Sequence, residues 1–215
     1  MWRHQVQGVV LYWYLVDIIL IDKEFGMKYT LGFRVWHWLN AIVVFGLLGT
    51  VFLRKTFLSW RTNSEIIISQ LSSFDIDITQ EQAKILAKAI RAGMWEWHII
   101  LGYMLAGLIL FRIYLFFKDN SKLDRFSDLD MHKKAVRALY ILFYVVLFFM
   151  GVSGLVIHFY AELGILKERA HDIKEVHETI YPFIGVFVAL HIAGVTIAEN
   201  TKEKGIVSTM INGKE

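Results

Sequence analysis

The sequence predicts an all-α integral membrane protein: a four-helix bundle with cofactor space between its helices. Three observations carry this. The chain is 56% hydrophobic over 215 residues, with a mean hydropathy of +0.46, beyond the range of an ordinary soluble domain. Four stretches are almost free of Asp, Glu, Lys and Arg for long enough to cross a bilayer, which takes about 20 residues of helix. Each of those stretches holds a histidine, where an ionisable side chain is costly and marks a functional site by default.

The four spans are residues 35–53, 97–117 (interrupted by Arg112), 138–161 and 179–198. Trp36, Trp38, Trp95, Trp97, Tyr160 and Tyr181 cluster at their ends, as in an interfacial aromatic belt. Small residues recur within them, including Gly46, Gly102, Gly107, Gly151, Ser153, Gly154, Gly185 and Gly194. They allow either close helix packing or clearance for a flat macrocycle, and the sequence does not separate the two readings.

The N-terminal 26 residues stand apart. Val9–Ile21 is apolar but too short to span, carries Asp17 and lacks a small-residue cleavage site, so it is a poor signal peptide and a poor transmembrane helix. Residues 1–26 read as an upstream extension, with Met27 as the natural start, or as a peripheral helix.

The connections set the expected orientation. Arg54–Gly93 is a polar stretch of 40 residues in which Thr79 and Gln82 have capping-box spacing; Ile85, Leu86, Ala89 and Ile90 form one apolar stripe. A helix is expected there, on the membrane surface or against a partner. Lys118–Arg137 holds six Lys/Arg in 20 residues, which places it on the cytoplasmic side. Both termini then lie on the cytoplasmic side of the bacterial cytoplasmic (inner) membrane. The first connection and the mixed-charge stretch Tyr160–Glu178 lie outside.

Composition narrows the chemistry. With no cysteine there is no disulfide, iron–sulfur cluster, c-type haem attachment or thiolate zinc site. The net charge of +3 and basic groups set between hydrophobic runs suit lipid headgroups, and no aromatic–basic pattern suggests nucleic acid. No nucleophile–base set or open metal site is visible, so substrate chemistry is expected elsewhere.

The histidines supply the function. His177, just before the fourth span, and His191 within it lie fourteen residues apart, a rise of about 21 Å at about 1.5 Å per residue and nearly four whole turns, so both leave the same face if they share one helix. His37 begins the first span on the inner side and His98 the second on the outer side. The pairs matched in depth are His98 with His177 and His37 with His191. Each pair could supply both axial nitrogens of a b-type haem, filling both axial positions and favouring electron transfer over oxygen chemistry. Arg112, fourteen residues after His98, falls at the inner level, where it meets a haem propionate or snorkels to headgroups. Of the others, His4 and His132 are expected in solvent and His171 in a connection. His158 is expected at the interface, or as a substitute outer ligand or propionate partner.

Four segments resemble the b-type cytochrome subunit of membrane-bound nickel–iron hydrogenases, within the wider prokaryotic di-haem cytochrome b family. Arg34-Val35-Trp36-His37-Trp38-Leu39 resembles the start of the family's first helix, and Phe111-Arg112-Ile113-Tyr114 the end of its second. His177 and His191 resemble the pair on its fourth, and Val207-Ser208-Thr209-Met210-Ile211-Asn212-Gly213 its C-terminal signature. The likeness runs from about Phe33 to Gly213. The resemblance implies two haems b on His37, His98, His177 and His191. It implies partnership with hydrogenase small and large subunits, or a similar periplasmic oxidoreductase, and quinone as electron acceptor. The connection before the second span is longer and the basic connection shorter than in that branch. The competing functions are an anchor for a thiosulfate reductase or formate dehydrogenase, a stand-alone superoxide/quinone oxidoreductase, and a transporter or structural bundle without cofactor.

Overall fold

A computed structural model describes residues 29–118, 131–201 and 204–213, without the side chains of residues 132 and 133. The extension expected at residues 1–26 and the side chains of His4 and His132 lie outside the described residues. Among those residues the secondary structure is helical, with no strand. The helices are α1 (Leu31–Lys55), α2 (Trp60–Ser72), α3 (Gln80–Ile90), α4 (Ala92–Lys118), α5 (Met131–His158), α6 (Lys167–Asn200) and α7 (Ile206–Asn212).

Four helical stretches are long and apolar enough to cross a membrane: Leu31–Lys55, Gln80–Lys118, Lys134–His158 and Lys167–Asn200. Their outward side chains fit that medium, since Ile42, Phe45, Leu110, Leu142, Val186 and Ile197 are large, apolar and exposed. Water would penalise such a surface, whereas hydrocarbon does not. The helices extend past most of the charge-poor runs that reveal them. α6 begins twelve residues before Thr179, because KERAHDIKEVHE is polar yet helical, with His171–Glu175 and Lys174–Glu178 pairs one turn apart at 3.7 and 3.6 Å. Part of the expected third connection is therefore the first three turns of α6. At the other extreme α5 stops at His158, short of Ala161.

The described residues fall into two compact units, one within 1–39 and 106–215 and the other residues 40–105, and both α1 and α4 contribute to each. In the first unit α5 and α6 pack together. Phe143 and Phe187 stack there face to face, with ring centroids 3.8 Å apart and planes 11° from parallel. Phe33, Trp36 and Leu115 form a second buried cluster, with Tyr29, Leu108, Phe111, Tyr144 and Met210 around it. The Trp36 indole Nε1 donates to the Leu108 carbonyl at 2.9 Å, so the polar edge of a buried ring is satisfied. At Gly151 an added Cβ would lie 2.9 Å from Ile109 Cδ1, so this glycine serves close packing between α4 and α5.

In the second unit α2 and α3 form a helical hairpin. Thr79 and Gln82 make the expected capping box: Gln82 N donates to Thr79 Oγ1 at 3.3 Å, and Thr79 N donates to Gln82 Oε1 at 2.8 Å. The face of α3 that is buried differs from the apolar stripe read in the sequence. Ala83 and Ala87 are fully buried, and Gln80 Nε2 donates to the buried Ser64 Oγ of α2. Ile85, Leu86 and Ile90 remain exposed. Small residues let two helices approach closely, so the alanines take the interface although the isoleucines are more hydrophobic. Replacing Thr79 by alanine removes a cap worth about 1 kcal/mol. Amides of the first turn of α3 should exchange about fivefold faster, with the amides of α5 unchanged, as hydrogen exchange of the purified protein would report.

Candidate haem-ligating site

Four predicted histidines sit on helices, each partly buried among apolar side chains. His37 is on α1 and His191 on α6, and the fold brings them together. Their ring centroids are 6.1 Å apart, with planes inclined by 55°. Two iron–nitrogen bonds of about 2 Å, each with about 1 Å more to the ring centre, come to about 6 Å, so His37 and His191 are spaced as two residues that would hold one haem iron between them. Phe187 lies parallel to the His191 ring at 6.0 Å and 6°, and Tyr140 stands edge-on to it at 5.9 Å. His37 stands against Trp38 edge-on at 5.2 Å and Phe33 at 6.4 Å. The Nδ1 of His37 is buried with no hydrogen-bond partner among the described residues, an imidazole with bonding capacity that the protein leaves unused.

Hydroxyl groups engage the Nδ1 of the other three histidines. Thr50 Oγ1 lies 2.7 Å from His98 Nδ1, Ser153 Oγ 2.8 Å from His177 Nδ1, and Tyr140 OH 2.9 Å from His191 Nδ1. For two of them the surrounding hydrogen bonds fix the direction. Thr50 Oγ1 donates its proton to the Leu47 carbonyl at 2.6 Å, and Ser153 Oγ donates to the Phe149 carbonyl at 2.6 Å, the back-bond to the preceding turn that hydroxyls make inside helices. With its single proton spent there, each oxygen can only accept from the imidazole. His98 and His177 therefore carry their proton on Nδ1, which places the lone pair on Nε2. That is the ligand form, oriented by a partner on the other nitrogen. Thr50 and Ser153 are both buried, so these bonds are made away from water.

The structure brings His37 and His191 together within the first compact unit. His98 belongs to the second unit and His177 to the first. His98 has Trp95 edge-on at 5.5 Å, and Trp95 in turn carries the Arg54 guanidinium 5.3 Å from its centroid. His177 has Gly154 beside it, where an added Cβ would lie 3.6 Å from its Cε1. Along α6 the backbone stays helical between His177 and His191 even though Pro182 removes one N–H donor. In a membrane helix neighbouring groups make that tolerable.

Arg112 lies with its guanidinium 5.1 Å from the centroid of Phe33, 5.3 Å from Trp36 and 5.8 Å from Tyr144. A cation over three ring faces is favourable by about 0.5–2 kcal/mol per contact, more where water is excluded. This holds the positive charge over the rings of Phe33 and Trp36, which precede His37 on α1. Of the other histidines among the described residues, His171 faces Glu175, and exposed His158 lies edge-on to Phe159 at 4.7 Å.

Sequence reasoning did not find the three hydroxyl partners. Ser153 counted only as a small residue, and Thr50 and Tyr140 carried no signal, because they lie 48 and 51 residues from the rings they meet. Replacing Ser153 by alanine strands a buried imidazole N–H, at a cost of about 1–3 kcal/mol. The thermal midpoint in detergent should fall, while Ser153→Thr, which keeps the hydroxyl, should restore most of it.

A sequence profile described as prokaryotic cytochrome b561 matches residues 28–213. No curated protein and no solved structure matches the chain.

Proposed function

The chain belongs to the prokaryotic cytochrome b561 family, multi-pass bacterial membrane proteins that carry electrons on haem b, and from that premise we propose that it is the membrane subunit of a two-haem electron path. His37 and His191 would ligate the inner haem, His98 and His177 the outer one. The observation that carries the inner site is the 6.1 Å separation of the His37 and His191 rings. The outer pairing rests on sequence depth; the Nδ1–H tautomer set by Thr50 and Ser153 supports each ring separately as a ligand.

When bound, haem b supplies reversible one-electron chemistry at iron, and two axial imidazoles leave no open position for oxygen. The protein's part is to hold those imidazoles. The hydroxyls of Thr50 and Ser153 lock two rings in one tautomer, and the Phe143–Phe187 stack braces the wall beside His191. Rigid ligands keep reorganisation on electron transfer small. Arg112 offers a cation at the inner level for a propionate, with its rings as a platform.

The direction and the partners follow from the resemblance in the sequence. Electrons would enter from a periplasmic oxidoreductase, with the small and large subunits of a nickel–iron hydrogenase as the leading partner, cross from the outer to the inner haem, and leave to quinone. Both termini would face the cytoplasm. The C-terminal segment from Val207 to Gly213 favours the hydrogenase branch over a thiosulfate reductase or formate dehydrogenase anchor, or a stand-alone superoxide/quinone oxidoreductase. Co-purification from native membranes distinguishes these partners, and superoxide-dependent quinone reduction by the isolated subunit would favour the last.

Redox-difference spectra of purified wild type, His177→Ala and His191→Ala test the scaffold. Each variant should lose one of two spectrally separable haems and keep the other. Retention of both haems in both variants would refute the ligand assignment.

A further inference from the structure

The C-terminal helix α7 is short, yet it touches both helices that carry the inner histidine pair. On the α6 side, the Glu199 carboxylate accepts from Gly205 N at 3.1 Å through Oε1 and from Val207 N at 3.0 Å through Oε2. Glu199 lies eight residues, just over two turns, beyond His191. On the α1 side, Arg34 Nη1 donates to the Ile211 carbonyl at 3.2 Å, and Trp38 Nε1 donates to the Met210 carbonyl at 3.2 Å. These two donors flank His37, three residues before it and one after. Met210 also packs on the cluster formed by Phe33, Trp36 and Leu115.

The end of the helix is built to that contact. Gly213 has φ +71°, a backbone state that other L-residues rarely adopt, and an added Cβ would lie 2.8 Å from Arg34 Cζ. The Gly213 amide donates to the Thr209 carbonyl at 2.9 Å, closing the last turn. The two carbonyls that α7 presents to α1 belong to its final turn, where no helical N–H competes for them. Arg34 and Trp38 are the external donors that satisfy them.

We infer that α7 is a bracket joining α6 to α1, and that Glu199, Arg34, Trp38 and Gly213 are positioning residues that set the separation of His37 and His191. The inference rests on the reading of those two histidines as axial ligands. A ring on α1 meets a ring on α6 at a fixed distance only if the two helices cannot rotate or slide against each other. Hydrogen bonds on either side of His37 oppose rotation of α1, and the Glu199 contacts tie the same short helix to α6. The C-terminal segment singled out in the sequence thereby acquires a mechanical role at the inner site.

The test uses full-length protein in detergent, as wild type, Trp38→Phe, Glu199→Gln and Gly213→Val. Trp38→Phe keeps an aromatic ring and removes only the donor; Gly213→Val disrupts most strongly, and if it fails to fold the other two variants decide. Two spectroscopic readouts are taken: the low-spin ferric signals in electron paramagnetic resonance, and carbon monoxide binding to the reduced protein. The expected result is that one haem's ferric signal shifts and that haem becomes reactive to carbon monoxide, while the second haem stays as in wild type. Wild-type ferric signals and inertness to carbon monoxide in every folded variant, including one whose thermal midpoint falls, would overturn the bracket and leave α7 as a stabilising element. His37→Ala and His191→Ala are run beside them. If both leave the haem content and ferric signals of wild type, the ligand reading has failed, independently of the bracket.

Discussion

A polar ring inside an apolar bundle must have its nitrogens satisfied, and much of this structure follows from that requirement. An imidazole in a low-dielectric setting has two nitrogens, one carrying a proton and one a lone pair, and an unpaired group of either kind is costly. Here the proton side of His98 and His177 is met by hydroxyls whose own protons are already given to the preceding helical turn. The direction of those bonds is thus fixed by helix geometry, which leaves the lone pair on Nε2. The family to which the chain belongs binds haem b.

The bundle divides its labour between bracing and spacing. Aromatic side chains brace: the Phe143–Phe187 stack, the edge-on contacts around His191, and the cluster of Phe33, Trp36 and Leu115 beneath Arg112. The short C-terminal helix, through Glu199, Arg34 and Trp38, supplies contacts of the kind that fix one helix relative to another. Glycine takes part in this: Gly151 allows close approach to Ile109, the packing reading of the small residues.

The fold was largely legible in the sequence because its signals are local. Charge-free runs of bilayer length mark spans, and a Thr–Gln pair three residues apart marks the start of α3; both are visible within one window of the chain. The helix ends were less legible. Charge exclusion reports where hydrocarbon would begin, whereas backbone hydrogen bonding continues through polar residues such as those from Lys167 to Glu178. The face that α3 turns to α2 was not legible for a related reason. A stripe of isoleucine and leucine predicts burial when hydrophobicity decides, but a close helix pair selects alanine, and Ala83 and Ala87 won the interface with α2.

The sequence by itself determined the helical membrane class, the four histidines and the equal face of His177 and His191, because each depends only on composition or on the fixed rise and turn of a single helix. Only the tertiary structure decided that the rings of His37 and His191 stand 6.1 Å apart. It also decided that Thr50, Ser153 and Tyr140 hold the other nitrogens of three rings, and that residues 210 and 211 reach back across 172 and 177 positions to Trp38 and Arg34. Those contacts join different helices, and no periodicity along one helix encodes how another is turned against it.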